Sequence, residues 1–213
     1  MALSKIPSVG LSYNPGYKSS QVFTSSGTWT KPTGIKLVRV FVTGGGGGSS
    51  QCPGDNSNDM GIGGASGATA IETIDVTSVS SVTVTVGAGG TAGSSSSGGH
   101  GGTSSFGSFC TAVGGDGSTS STVFLRCDGG LASGGDINLK GSGPGGNGAI
   151  NYNTGGTSAI GGGGGASFWG GGGSGGRSGS APEAGSNGGG GGAAANTSGA
   201  AGGDGIVVVE EFQ

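Results

Sequence analysis

Residues 35–48 read Ile-Lys-Leu-Val-Arg-Val-Phe-Val-Thr-Gly-Gly-Gly-Gly-Gly. The first nine alternate: Val38, Val40 and Val42 share one face, and Leu37, Arg39 and Phe41 share the other. This period-two, β-branched pattern predicts a strand over Ile35–Thr43. The strand runs without a turn residue into Gly44–Gly48, where no face carries a side chain. The fold must therefore let a strand continue directly into bare backbone.

The same two textures recur outward from this stretch. Ala68–Val76 and Ser81–Val86 read as a pair of strands joined by Thr77–Ser80. Ser104–Val113 reads as one alternating strand, Thr122–Arg126 as a further short strand, and Ile206–Phe212 as the closing strand. Between them glycine takes over: 59 of 213 residues are glycine and 6 are proline, against roughly 7% glycine in an average chain. Collagen is excluded, because the glycines fall in runs such as Gly161–Gly165 rather than at every third residue. No window sustains a 3.6-residue apolar period, and glycine costs about 1 kcal/mol against alanine in a helix, so essentially no α-helix is expected.

Ordering glycine costs roughly 0.5–1 kcal/mol more than ordering alanine, on the order of 30–60 kcal/mol over 59 glycines. The scattered apolar residues between Gly129 and Gly205 cannot offset that by side-chain burial. Two outcomes are consistent with the composition: disorder, or backbone packed directly on backbone. Polyproline II supplies the second, because it has three residues per turn and leaves every N–H and C=O for a neighbouring helix. Gly44–Gly48, Gly161–Gly165, Gly170–Gly173 and Gly188–Gly192 would each make about 12–15 Å of such a helix. A bulky residue at an interior glycine such as Gly163 is expected to separate its neighbours. Ser49–Met60, Ala149–Ser158 and Arg177–Asn187 are expected as connecting loops.

The expected fold is thus mainly β with a layered, glycine-rich polyproline-II block. It divides into an N-terminal attachment segment (1–20), a β-rich platform with glycine-rich inserts (21–128), the glycine block with its loops (129–205) and a closing strand (206–213).

Charge and motifs exclude several function classes. Eight Lys and Arg against eleven Asp and Glu leave a net charge of −3, which offers no electrostatic capture of nucleic acid or an anionic membrane. Met1–Gly10 is broken by Lys5 and Pro7 and does not read as a secretory signal. His100, the sole histidine, has no nucleophile or metal partner at a diagnostic spacing. The many GxGxxG matches are expected at this glycine content and lack a βαβ setting. Asp55, Asn56, Asn58 and Asp59 read as a polar turn rather than a calcium loop. Three cysteines, Cys52, Cys110 and Cys127, show no CxxC spacing and leave both one bridge and free buried thiols open. No enzyme activity and no cofactor are expected.

The blocks from Gln21-Val-Phe-Thr-Ser-Ser-Gly-Thr-Trp29 through Gly48, then SVTVTVGAGG (81–90), GGTSSFGSFCTAVGG (101–115), GGGGGASFWGGGG (161–173) and Gly203-Asp-Gly-Ile-Val-Val-Val209 carry a further pattern. In order and content they resemble the glycine-rich domain of bacteriophage tail-fibre and receptor-binding proteins, over roughly residues 20–213. That resemblance implies a non-enzymatic virion protein of the phage tail, made in the host cytoplasm and acting as a fibre-tip adhesin. Its partners would be a bacterial outer-surface receptor, protein or glycan, and other tail or fibre proteins, with a homotrimer among the assemblies allowed. A virion structural or head-surface fibre protein without receptor specificity is the nearest alternative, and an ice-binding protein the alternative of another class.

Glycine runs hold little information about a partner, so recognition is expected where side chains stand. Tyr152 and Asn153 lie in a polar-aromatic segment of the kind that binds with low entropy cost. Arg177 and Asn187 bound an insert expected beside them. Phe168 and Trp169, set between two glycine runs, either cap the block or stand exposed for binding.

Overall fold

The computed structural model describes residues 16–52, 61–94, 97–119, 127–146, 149–153, 156–177, 179–195 and 197–213. Its strands are β1 (Tyr17–Phe23), β2 (Gly27–Thr30), β3 (Leu37–Thr43), β4 (Gln51–Cys52), β5 (Thr69–Asp75), β6 (Ser81–Thr85), β7 (Ser104–Phe106), β8 (Cys110–Ala112), β9 (Ala132–Ser133), β10 (Ile137–Leu139), β11 (Ala149–Asn153), β12 (Gly156–Ile160), β13 (Ala194–Ala195) and β14 (Ile206–Phe212). The fold is all-β, with no helix among the described residues. Two five-stranded antiparallel sheets, ordered β1-β14-β3-β5-β10 and β2-β6-β7-β8-β9, dominate it.

The alternation in β3 works as the residue pattern dictates. Val38, Val40 and Val42 are fully buried, and with Val207 and Val209 of β14 they face Trp29, Val84 and Phe106 of the second sheet. Glu211 is buried among them at 1% exposure and accepts hydrogen bonds from the Ser19 hydroxyl, the Gln21 amide at 2.7 Å and Trp29 Nε1 at 2.8 Å. These donors tie β1, β2 and β14 together across the sandwich.

Several expectations are corrected. The strands β5 and β6 do not pair with each other; the Thr77–Ser80 connection carries the chain from the first sheet to the second. The stretch 104–113 is not one strand. Gly107 adopts φ +52°, a left-handed value that glycine takes without strain, and the chain folds back so that β7 pairs with β8, Phe106 opposite Cys110. Tyr17–Ser20, assigned by sequence to an attachment segment, belong to β1 and pair with β14. The residues 122–126 lie outside the described part. Cys110 and Cys127 are free and buried, which closes the option of a bridge between them.

The glycine segments pack backbone on backbone. In Gly44–Ser49 the amides of Gly44 and Gly47 donate to Ala68 and Ala65, those of Gly45 and Gly48 to Gly102 and Gly99, and those of Gly46 and Ser49 to Gly203 and Ala200, all at 2.8–3.0 Å. The carbonyls of Gly45 and Gly48 accept from Gly115 and Ser118, those of Gly46 and Ser49 from Gly90 and Gly93, and that of Gly47 from Gly191. Each neighbour is met again every third residue, the repeat of a polyproline-II screw. Three antiparallel and three parallel segments thus surround this one, and a Cβ on Gly46 would run into the carbonyl of Gly189. The partners come from both 21–128 and 129–205, so platform and block are interleaved rather than successive.

Gly163 does not sit in such a confined place. A Cβ there would meet only the Gly173 carbonyl, at 3.6 Å, an ordinary contact, so an alanine at this position does not by itself push the neighbouring segments apart.

Candidate functional site

The path of the chain decides which side chains can act together. Strands enter the glycine block at its near end, as β3 feeds Gly44 and Ala68 feeds β5. At the far end β4 pairs in parallel with β13, Gln51 opposite Ala194. Also at the far end stands the hairpin β11–β12, in which Tyr152 pairs with Thr157 and Asn153 with Gly156. Arg177 bridges Ile160 at the base of that hairpin and is exposed. Tyr152 and Asn153 therefore share the far end with Arg177, set toward the hairpin tip while Arg177 marks its foot. The side chains of β11 lie outside the described part.

Asn187 is elsewhere. Residues 183–186 run back antiparallel to 171–174, with Glu183 N bonded to Ser174 O and Ser186 N to Gly171 O. The turn at Asn187 and Gly188, with φ +40° and +86°, closes at the near end, where Gly67 N donates to Gly188 O. The expected loop over Arg177–Asn187 is corrected accordingly: its two ends belong to opposite ends of the block. Sequence places the eleven residues in one insert because nothing in their composition marks where the backbone turns.

Phe168 and Trp169 form the other near-end turn. The arms 161–167 and 170–176 pair antiparallel through Gly161–Gly176, Gly164–Gly173 and Ser167–Gly170, and the two aromatics land on the outer face of the first sheet. Eight residues at ~3.1 Å each set Trp169 about 25 Å from Arg177 along the block. The Phe41 ring stacks on Phe168 at 6.0 Å and 22°, and meets Trp169 edge-on at 5.5 Å. Phe168 and Trp169 touch each other at 5.0 Å and 86°. They both cap and stand exposed, Phe168 at 50% and Trp169 at 39%.

Phe41 is the residue that sequence reasoning missed here. Its outward position is read correctly from the alternation, but its partners are set by the return of a distant hairpin. Phe41 is the centre of an apolar row in register across the sheet: Val22, Val208, Phe41, Ile71 and Ile137. Beside Phe168 a cavity of about 290 Å³ opens between β10 and the turn, lined among others by Thr69, Leu139, Ser142, Ala166 and Ser167.

Elsewhere the chemistry is quiet. His100 Nδ1 and Asp116 Oδ1 are 3.1 Å apart on the surface. Among the described residues no group of three or more His, Cys, Asp or Glu could hold a metal ion. Burial, helped by the charge of Glu72, pushes the Cys110 thiol up to about 12, and burial with Asp116 pushes Cys127 up to about 11. Neither sulfur is a nucleophile near neutral pH.

Against known proteins, the model of a family described as a glycine-rich domain matches residues 20–211. The chain belongs to this family. The match takes in the second sheet, all but the outermost residues of the first, the whole described block and both candidate areas. No curated protein matches the chain.

Proposed function

We propose that this glycine-rich domain is a non-enzymatic phage tail-fibre or fibre-tip adhesin that binds a bacterial surface receptor through its far-end connections. The observation that carries the reading is the division of the molecule. Two sheets anchor one end, backbone hydrogen bonds lock the glycine segments, and the hairpin of Tyr152 and Asn153 stands with Arg177 at the opposite end. Side chains held on a rigid scaffold lose little freedom on binding, and several copies on one particle convert weak contacts into avidity. The resemblance of the ordered blocks to phage tail-fibre domains supports the same reading.

The experiment replaces Tyr152, Asn153 and Arg177 singly by alanine and measures adsorption to host cells together with thermal unfolding. An aromatic anchor at Tyr152 loses about 2 kcal/mol on truncation, roughly 30-fold in affinity, with the melting temperature unchanged. Normal adsorption in all three variants retires the far end as the recognition surface.

A further inference from the structure

The cavity beside Phe168 lies at the waist of the molecule, where the glycine block meets the first sheet, well away from the far-end hairpin. We infer that it is a binding site for a neutral sugar ring. The inference stands on a different part of the chain from the adhesin reading and goes beyond it.

Size comes first. About 290 Å³ is at the lower limit of small-ligand sites, which begin near ~300 Å³, and suits one ring rather than a large cofactor. The walls are of two kinds. Leu139, Ala166 and Phe168 are apolar, while Ser142 brings an exposed hydroxyl; the Thr69 hydroxyl is buried against Thr43 and the Ser167 hydroxyl is held within its own turn. A pyranose has the matching division, a face of C–H bonds and a rim of hydroxyls.

The aromatic wall is preorganised. The Phe41 ring stacks on the Phe168 ring at 6.0 Å, and Trp169 braces it edge-on at 5.0 Å. The turn beneath is fixed by the Ser167 hydroxyl, which donates to Asn187 O at 2.6 Å and accepts from Gly170 N at 2.9 Å. A large ring held this firmly and still half exposed offers a flat face at little further entropy cost.

The polar wall accepts. Ser142 Oγ donates to Ala166 O at 2.8 Å, and Thr69 and Thr43 share a hydrogen bond at 2.8 Å. A hydroxyl has one proton and two lone pairs, so Ser142 Oγ, with its proton on Ala166 O and Ser66 Oγ 3.4 Å away, keeps one lone pair to accept from a sugar O–H. Lys140, the charged residue in the lining, is engaged by Asp128 at 3.4 Å. The wall thus presents a compensated charge, and a neutral sugar is assigned rather than an acidic one.

The test uses the full chain and saturation-transfer NMR with free glucose, galactose, mannose, rhamnose and N-acetylglucosamine, and glucuronate as the charged comparator. At least one neutral sugar is expected to bind with a dissociation constant of about 1–10 mM, the weak range of a single small ring. Phe168→Leu keeps an apolar contact on Phe41 but removes the flat face, and Ala166→Leu fills the cavity; each is expected to weaken binding about tenfold or more with unfolding unchanged. Tyr152→Ala is expected to leave sugar binding intact. Absence of transfer from every sugar overturns the site, as does full binding in Phe168→Leu and Ala166→Leu. Preference for glucuronate overturns the neutral assignment. Loss in Tyr152→Ala alone moves sugar binding to the far end, overturning this site while leaving the adhesin reading standing.

Discussion

Glu211 shows how much one side chain can hold in a molecule so short of side chains. A buried carboxylate is tolerated only when donors satisfy it, and here Ser19, Gln21 and Trp29 do so from two neighbouring strands. Trp29→Phe keeps the ring in the core but withdraws one donor from a buried charge. Urea denaturation should read a loss of about 1–3 kcal/mol, and a variant as stable as the parent would refute this account of the core. Cys110 makes stability depend on pH. Its thiol stays protonated in the folded chain up to about 12, whereas the ordinary value is 9.0. The unfolded chain gives up that proton first, so this contribution is intact below about pH 9 and is lost as pH rises from there. The urea midpoint should fall between about pH 8 and pH 10.5, and fall less in Cys110→Ala.

Glycine segments differ from one another more than their sequences do. Gly46 is walled in, its missing Cβ aimed at the Gly189 carbonyl, whereas Gly163 meets one oxygen at 3.6 Å and Gly171 has nothing within 4 Å. Backbone cannot rotate away as a side chain can, so Gly46→Ala should cost at least about 4 kcal/mol. Gly163→Ala and Gly171→Ala should leave calorimetric melting close to the parent. Equal tolerance at all three positions would mean that the contacts around Gly44–Ser49 are not what orders the block. The same contrast explains what was legible in the sequence. Strands β3, β5, β6 and β14 could be read because alternation is written in side chains. The inward set Val38, Val40 and Val42 and the outward Phe41 followed from it directly. The hairpin within 104–113 was hidden because Gly107 and Ser108 extend the alternation they interrupt. The separation of Asn187 from Arg177, and of both aromatics from Tyr152, could not be read, because the turns that separate them are made in backbone. Seven-residue arms flanking Phe168 and Trp169 were the available signal for a hairpin there.

The molecule as a whole closes on itself late: β14 lies between β1 and β3, so the first sheet is incomplete until residues 206–212 arrive, a non-local order that slows folding. Once closed, it obeys an arithmetic that ordinary folds lack. Because Gly44, Gly45 and Gly46 address three different neighbours and Gly47 returns to the first, each added residue turns all that follow by about 120°. One glycine inserted between Gly46 and Gly47 would aim every later amide at the wrong neighbour. Three would restore the aim and lift the far end by one turn, about 9 Å. Single insertion should abolish the cooperative melt, while triple insertion should keep one, and calorimetry of the two variants decides it. The scaffold therefore behaves like a message with a reading frame: additions in threes keep it legible, and any other number garbles it.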